Sequence, residues 1–516
     1  MMKNTRMVQV ASLLRSRTFL LALLTIQFVL VNLATNPLFG DAPRNLHWGL
    51  LTAENPRFLL GEPDTFERIK GFPPDPPTLS ELHLYGNPQS SLHRWWGPLA
   101  PLLFAAIWKL TGSYTLLQLV IPLAGAATVL LLYLLARDML GPRSALLAAA
   151  FLACFPIFRQ YASTSYTEAL SALVLTAALL FYRRGRLLAT ILLGSLAVLT
   201  KMDLYLLFVG AILGCAITGQ APPGAPIPER SSANQESHSA NWFASRYPHW
   251  RYHVMVLIGP LLFSMPWIWL HYLGSGNGGP TRGLSAGLFA IIAPQLLELL
   301  FYIPWYGALI TLAAIGAAVW AGLRAQKLAQ ADAGMLLGWL AVGLLVLLVY
   351  AATPGAGNSP RVIIPALPAL AILFAAGFGA LSAAWRRRIG FYLVAIFLLI
   401  NLVTIVFDSA SGSAVRSYMP AWDVLRSRPQ GYVLTEKYWQ TILFTRQKAT
   451  WFESDPQFEA NIMHNRTNFA RYIEQYPIRY VLLPHDGPLA APEVRAYLDA
   501  NATREDVGTM VIYQLP

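Results

Sequence analysis

Long runs of apolar residues dominate the chain from Thr18 to Asp408. A membrane-spanning helix needs about 20 predominantly apolar residues, and the longest runs reach that length. We therefore predict an α-helical polytopic membrane protein with about eleven crossings. The predicted crossings are Thr18–Leu38, Thr115–Ala136, Ser144–Arg159, Glu168–Tyr182, Leu187–Thr200, Asp203–Thr218, Tyr252–Tyr272, Ile303–Leu323, Met335–Ala352, Val362–Ala384 and Phe391–Phe407.

Basic residues fix the predicted orientation, because short cytoplasmic loops are enriched in Lys and Arg. Every alternate loop carries such residues, which places the N-terminus in the cytoplasm and the segment after Asp408 outside. Two apolar stretches, Pro98–Leu110 and Leu284–Tyr302, would break this alternation as crossings, so we assign them to juxtamembrane helices at the outer interface, with a buried re-entrant helix as the alternative for either. The basic residues are Arg137, Arg143, Arg183, Arg184, Arg186, Arg230, Arg246, Arg251, Arg324, Lys327, Arg386, Arg387 and Arg388.

The chain divides into a transmembrane domain at 1–408 and a small extracytoplasmic α/β domain at 409–516. Within the first, 39–97 is predicted to be an outer loop, because its FPPDPP segment is too rich in proline for a helix. The polar segment 219–251 is predicted to be a cytoplasmic loop. Strand-like patterns in the second domain occur at Tyr432–Thr435, Arg479–Leu483 and Thr509–Gln514.

The amino-acid composition supports a membrane domain and limits the kinds of partner that the sequence predicts. The 516 residues are 55% hydrophobic and only 12% charged, which excludes an ordinary soluble enzyme. The net charge of +12 comes from basic residues beside apolar runs, so we predict a lipid bilayer and no nucleic acid as partner. Cys154 and Cys215 lie in separate apolar segments and indicate neither a disulfide nor a thiolate metal site.

Ionisable residues at the ends of the predicted crossings are the candidates for function, because charge is costly within a membrane. In the predicted orientation Asp41, Glu168, Lys201, Asp203 and Arg361 all lie on the outer side. A carboxylate can activate a hydroxyl, and cations can neutralise a departing phosphate. This combination favours glycosyl transfer from a lipid phosphate.

Each candidate also has a structural interpretation. Lys201 and Arg361 suit long side chains that extend to the membrane interface. Glu168 follows Thr167, a residue type that caps helices, and an acid in the first turn favours the helix dipole. Asp41 has the weakest structural explanation. Two other functions remain open: a lipid or solute transporter, which the lack of evident inverted repeats disfavours, and a membrane ligase or polymerase of glycans.

Six short motifs follow one another along the membrane domain. They are Gly40–Asp41, WGPL at Trp96–Leu99, LLARDMLGPR at Leu134–Arg143, YASTSYTEA at Tyr161–Ala169, LGSLAVLTK at Leu193–Lys201 and RVIIPALP at Arg361–Pro368. In this order they resemble motifs of the polytopic C-type glycosyltransferases that use polyprenyl-phosphate sugars, especially the group of protein O-mannosyltransferases and aminoarabinose transferases.

The resemblance implies that a single sugar passes from a polyprenyl-phosphate donor to a hydroxyl of a protein, lipid or glycan acceptor at the outer membrane face. It implies that Asp41 is the base or positions the acceptor, that Glu168 is the second acid, and that Lys201 and Arg361 contact the donor phosphate. Direct displacement with one carboxylate base inverts the anomeric centre. We expect no metal or other cofactor. The sequence departs from many relatives in that Ala42, not a second acid, follows Asp41.

Overall fold

The computed structural model describes the chain with several gaps and divides it into two compact units. The first unit comprises Met1–Ala34, Trp95–Ala100 and Gln118–Phe407, and the second comprises Thr35–Arg94, Pro101–Leu117 and Asp408–Pro516. The described residues are 17–35, 38, 40, 42–60, 97–220, 250–269, 298, 300–351, 360–451, 459–486 and 489–516.

Helices account for most of the described chain. The α-helices are α1 (Arg17–Thr35), α2 (Ala42–Glu54), α3 (Leu99–Thr111), α4 (Tyr114–Leu140), α5 (Pro142–Cys154), α6 (Pro156–Ala162), α7 (Glu168–Arg183), α8 (Leu187–Thr200), α9 (Asp203–Ile217), α10 (Trp250–Ile268), α11 (Trp305–Arg324), α12 (Gln330–Ala351), α13 (Leu367–Ala380), α14 (Ala383–Ser427), α15 (Tyr438–Thr445), α16 (Arg466–Gln475) and α17 (Pro492–Asn501). Short 3-10 helices occupy Pro56–Leu60 and Pro360–Ala366, and a π-helical turn occupies Glu459–Met463.

Within the described residues, five helices are long and apolar enough to cross a membrane. They are α4, most of α11, most of α12, the combined segment Pro360–Ala380, and α14. The bent pair α5 and α6 gives a sixth if it is one span, and shorter apolar helices include α3, α8 and α9. The prediction of a polytopic helical protein is confirmed, whereas the number of eleven crossings stays a prediction.

The predicted crossing Ser144–Arg159 is wrong as a single helix. The chain bends by 68° between α5 and α6. Phe155, at the bend, has extended backbone angles (φ −67°, ψ 122°). The cause is Pro156, because proline disfavours the helical conformation of the residue before it and starts the next helix readily. The bend directs the chain into the turn that precedes Glu168.

The prediction that 39–97 is a loop is also wrong in part, since α2 lies within it. Pro43 stands in the first turn of α2, where its missing N–H costs no helical hydrogen bond. Gly49 of α2 packs against α3, and a Cβ atom there would lie 2.2 Å from the Cβ of Phe104. The FPPDPP segment, most of Leu284–Tyr302 and the loop 221–249 lie outside the described residues.

Pairs of glycines bring α9 and α12 into direct backbone contact. A Cβ on Gly214 would lie 2.2 Å from the carbonyl oxygen of Gly334, and one on Gly338 would lie 2.1 Å from that of Gly210. Glycines four residues apart share one helix face, so the two GxxxG sequences meet as antiparallel surfaces. This contact aligns the start of α9 with the end of α12, where candidate residues lie.

The second unit contains a five-stranded mixed sheet in the order β2-β1-β3-β5-β4. The central strand β3 pairs in parallel with β1 and antiparallel with β5. Strands are predicted correctly at β1, β3 and β5, but β2 and β4 were not predicted. Both lie at sheet edges, and β4 reads TREDV with little burial, so no alternation of apolar residues marks it. The strands are β1 (Tyr432–Thr435), β2 (Lys448–Trp451), β3 (Ile478–Pro484), β4 (Thr503–Val507) and β5 (Met510–Gln514).

Replacing Gly214 by Val should lower the free energy of unfolding by about 1 to 3 kcal/mol, because the side chain separates α9 from α12. Gly316→Val is the matched control, since a Cβ atom at this exposed helical position meets nothing within 4 Å. Unfolding of both variants in the same detergent measures the difference. Equal stability of Gly214→Val and the parent protein would show that the glycine contact does not hold the two helices together.

Candidate functional site

Two of the candidate residues form a buried ion pair in the first unit. Glu168 begins α7 and Arg361 lies in the 3-10 helix before α13. The Nε of Arg361 is 3.3 Å from Oε1 of Glu168, and the side chain of Glu168 is only 3% exposed. Thr167 occupies the N-cap position of α7 but its side chain makes no capping hydrogen bond, so that part of the structural interpretation is wrong, whereas Glu168 does stand in the first turn of the helix. A carboxylate this buried needs its cation to remain charged.

An aromatic ring also contacts the guanidinium of Arg361. The Cζ atom of Arg361 lies 4.7 Å from the centre of the Tyr166 ring. Tyr166 is itself buried, and the ring of Tyr161 packs edge-on against it at 4.8 Å. A guanidinium over an aromatic face gains electrostatic attraction and loses freedom of orientation. Arg361 is therefore fixed by Glu168 and Tyr166 together.

Lys201 forms a second charged group in the connection between α8 and α9. Its Nζ lies 3.4 Å from Oδ2 of Asp203 and 5.7 Å from the ring centre of Tyr350, at the end of α12. The Lys201 side chain is 13% exposed. The interpretation of Lys201 and Arg361 as side chains extended to the interface is wrong, since both are largely buried and paired.

The WGPL motif packs against the helix end that carries Lys201. The backbone N–H of Gly97 donates to the carbonyl of Thr200 at 3.1 Å. A Cβ atom at Gly97 would lie 1.7 Å from the carbonyl oxygen of Leu199, so only glycine fits this close approach. The motif therefore sets the position of the residue that follows Thr200.

Electrostatic interactions join the two ion pairs into one cluster, which we call the charged cluster: Glu168, Lys201, Asp203 and Arg361. Burial lowers the pKa of Lys201, but the negative charges around it outweigh burial and raise the pKa to about 12. Asp203 contributes most, followed by Tyr350 and Glu168, while Arg361 acts in the opposite direction. Lys201 is therefore protonated throughout the physiological pH range.

The charged cluster shows which candidate residues lie close together. It tests neither their predicted roles nor the predicted reaction. Glu168, Lys201 and Arg361 are brought together, whereas Asp41 lies outside the described residues. Asp203 was among the ionisable candidates but received no role, and neither Tyr166 nor Tyr350 was predicted. Their positions in the sequence could have indicated two of these residues, because Asp203 stands two residues after Lys201 and Tyr166 stands two residues before Glu168.

The charged cluster can bind an anion and also accept hydrogen bonds. Arg and Lys carry several N–H donors each and bind phosphate through charge-assisted hydrogen bonds. Oε2 of Glu168 and Oδ1 of Asp203 are buried and have no hydrogen-bond partner among the described residues. These two oxygens therefore remain able to accept hydrogen bonds. Across the described ranges, no three His, Cys, Asp or Glu residues are grouped so that they could hold a metal ion.

The second unit contains a separate cluster on α2, the helix that begins one residue after Asp41 in the sequence. His47 is fully buried, and Nη1 of Arg446 lies 3.2 Å from its Nδ1. Arg446 also pairs with Glu54 at the end of α2. The guanidinium of Arg44 lies over the ring of Trp48. These contacts anchor α2 within the second unit and leave its first turn adjacent in sequence to Asp41.

Similar folds occur in solved membrane glycosyltransferases. ArnT from Cupriavidus metallidurans, bound to undecaprenyl phosphate, matches with a TM-score of 0.60 and 13% identity over 96% of this chain and 97% of that chain. The oligosaccharyltransferase of Archaeoglobus fulgidus in the apo form matches with a TM-score of 0.52 and 13% identity over 91% of this chain and 69% of that chain. Mycobacterial arabinofuranosyltransferase AftD matches at 0.50 with 15% identity, over 97% of this chain and 40% of that chain. At such identities the likeness establishes the fold.

One family model also matches part of the chain. Residues 96–223 match the family described as dolichyl-phosphate-mannose-protein mannosyltransferase, a range that contains Glu168, Lys201 and Asp203. No curated protein matches the chain. The resemblance to polytopic C-type glycosyltransferases is confirmed at the level of the fold, and the apolar helices support a multi-pass membrane protein.

The Glu168–Arg361 pair should show strong energetic coupling. Arg361→Gln leaves a buried carboxylate without its cation, which should lower the free energy of unfolding by about 3 to 5 kcal/mol. Adding Glu168→Gln removes that charge, so the double variant should recover stability, with a coupling of about 1 to 3 kcal/mol.

A double-mutant cycle measured by unfolding tests this coupling. The control is the exposed pair Arg504–Asp499, whose atoms are 3.2 Å apart and whose side chains are 43% and 45% exposed. Coupling in that pair should stay below about 1 kcal/mol. Equal coupling in the two cycles would mean that burial does not strengthen the Glu168–Arg361 interaction.

Proposed function

We propose that this protein transfers a single sugar from a polyprenyl-phosphate donor to an acceptor hydroxyl at the outer face of the membrane, with inversion. The observation that carries the proposal is the charged cluster, in which two cations are held in place before any substrate arrives. A lipid-phosphate leaving group gains negative charge as its bond to the sugar breaks. Cations already oriented toward that position stabilise the charge without reorganisation.

Lys201 and Arg361 are proposed to bind the donor phosphate. Each is paired with a carboxylate, Arg361 with Glu168 and Lys201 with Asp203, and both are residue types that bind phosphate through charge-assisted hydrogen bonds. The likeness to ArnT bound to undecaprenyl phosphate supports a polyprenyl-phosphate donor for this fold. The lipid retains the donor in the bilayer, so the cluster needs to recognise only the phosphate and the sugar.

The two acids are proposed to have different roles. Glu168 is committed to Arg361 by its burial and its 3.3 Å contact, which makes it a positioning residue. Its carboxylate is already in contact with the guanidinium of Arg361, so the proposal does not give Glu168 the role of base. Asp41 is therefore assigned the base that accepts the proton of the acceptor hydroxyl. One base acting opposite the leaving phosphate gives inversion of the anomeric centre.

Lys201→Gln should weaken donor binding by about tenfold to a hundredfold, because a charge-assisted contact to phosphate is lost. Binding of undecaprenyl phosphate to the purified chain measures this effect. Binding to the parent protein should not weaken between about pH 6 and pH 9, since the pKa of Lys201 is about 12. The matched control is Lys327→Gln, which removes an exposed cation after α11. Equal affinity in both variants would exclude Lys201 from the phosphate site.

Asp41→Asn should lower turnover by a factor on the order of 10² to 10⁴ while donor binding remains, because Asn cannot accept a proton at neutral pH. A reconstituted assay supplies a panel of polyprenyl-phosphate sugars and, as the comparison, nucleotide sugars. Glu168→Gln should instead weaken donor binding as well as turnover, since it releases Arg361.

Two results would contradict the proposal. Full turnover of Asp41→Asn would remove Asp41 as the base. Absence of transfer from every polyprenyl-phosphate sugar, together with flux of a lipid or solute across vesicles that contain the protein, would establish a transporter instead.

A further inference from the structure

An apolar groove lies on the first unit, and none of its lining residues belongs to the charged cluster. Its volume is about 270 Å³, and it is lined by α5, α13 and α14. Val394 and Leu398, which line the groove on α14, are 60% and 64% exposed, so the groove opens to the side of the helices. Stacked rings of Phe151 and Phe374, 4.3 Å apart, form its floor.

The groove has a defined direction along the helices. Arg361 precedes α13, and Glu168 follows the α5–α6 bend, so the charged cluster lies at one end of this helix group. The other end is marked by the starts of α5 and α14 and the end of α13. Ion pairs of Arg184 with Asp138 and of Arg183 with Asp332 lie at the same end, where α4 and α7 finish and α12 starts.

Two arginines extend the lining of the groove toward that end. Arg386 stands four residues before Gly390 on α14, and Arg143 stands four residues before Leu147 on α5. Residues four apart lie on one helix face, with a rise of about 6 Å between them. Both arginines are exposed. On each of these two helices, an arginine therefore follows the apolar lining residues, about one helical turn beyond the groove.

We propose that this groove and the two arginines bind an anionic glycerophospholipid of the leaflet opposite the charged cluster. One acyl chain occupies the groove, and Arg143 and Arg386 contact the phosphate group. Charge complementarity favours this occupant. The polyprenyl chain of a donor is apolar along its length and offers no anion to arginines at this end, whereas a phospholipid has its chain and its phosphate in the observed order.

Native mass spectrometry of the purified full chain tests the proposal. Phosphatidylglycerol and phosphatidylcholine with identical acyl chains are compared as ligands. We expect tighter binding of phosphatidylglycerol, and the variant R143Q/R386Q should weaken it on the order of tenfold. The matched control R324Q/K327Q removes two exposed basic residues at the end of α11 and should leave this binding unchanged. Gly322 near that end of α11 touches Gly377 of α13, which places the control residues at the same membrane face.

A second variant tests the groove itself. Ala150→Leu fills space in the lining while the surface stays apolar, so it should weaken binding of both phospholipids, with the melting temperature confirming that the variant is folded. Equal binding of the two phospholipids, unaffected by R143Q/R386Q, would overturn the proposal. So would displacement of phosphatidylglycerol by equimolar undecaprenyl phosphate, because the groove would then belong to the donor chain. Neither readout uses transferase activity, so the proposed reaction and the lipid site fail or hold separately.

Discussion

The burial of the Glu168 carboxylate beside Arg361 is the constraint on which the site depends. A charge that is 3% exposed is unfavourable unless a cation and hydrogen bonds replace water, so the chain must bring the start of α7 and the 3-10 helix before α13 together. The α5–α6 bend and the turn after it deliver Glu168 to that place. Tyr166, from the same turn, then completes the contact with the guanidinium. Local backbone chemistry and a buried charge thus select one arrangement.

Helix packing in the membrane supplies the second half of the site. Apolar side chains gain little from leaving lipid, so close contact between helices depends on small residues and van der Waals packing. The paired glycines of α9 and α12 allow that contact, and they align the helix ends that carry Asp203 and Tyr350. Gly97 makes a similar close approach to the end of α8 beside Lys201. Residues without side chains therefore position the residues that carry charge.

Sequence patterns predicted the helices well where apolar runs are long, and the crossing Leu187–Thr200 matches α8 at both ends. They failed at Phe155, because the run of apolar residues continues across a backbone break that proline alone produces. They missed β4, because a polar edge strand has no apolar alternation. In the site, Glu168, Lys201 and Arg361 were predicted because they are ionisable residues on the same predicted side of the membrane. Which of them form ion pairs depends on the folded structure and could not be predicted. The sequence alone could not distinguish a capping acid from one bound to an arginine.

Pairing also explains how a cluster with equal numbers of cations and carboxylates suits an anionic substrate. If both cations were unpaired, their mutual repulsion and burial would favour loss of the Lys201 proton, whereas Asp203 and Glu168 raise the pKa of Lys201 instead. The carboxylates thus keep Lys201 protonated beside Arg361. In the proposed reaction, the growing charge of the leaving phosphate strengthens its contacts with the two cations. In the proposed mechanism the acids of the cluster act through the cations, and a different carboxylate, that of Asp41, is assigned the role of base.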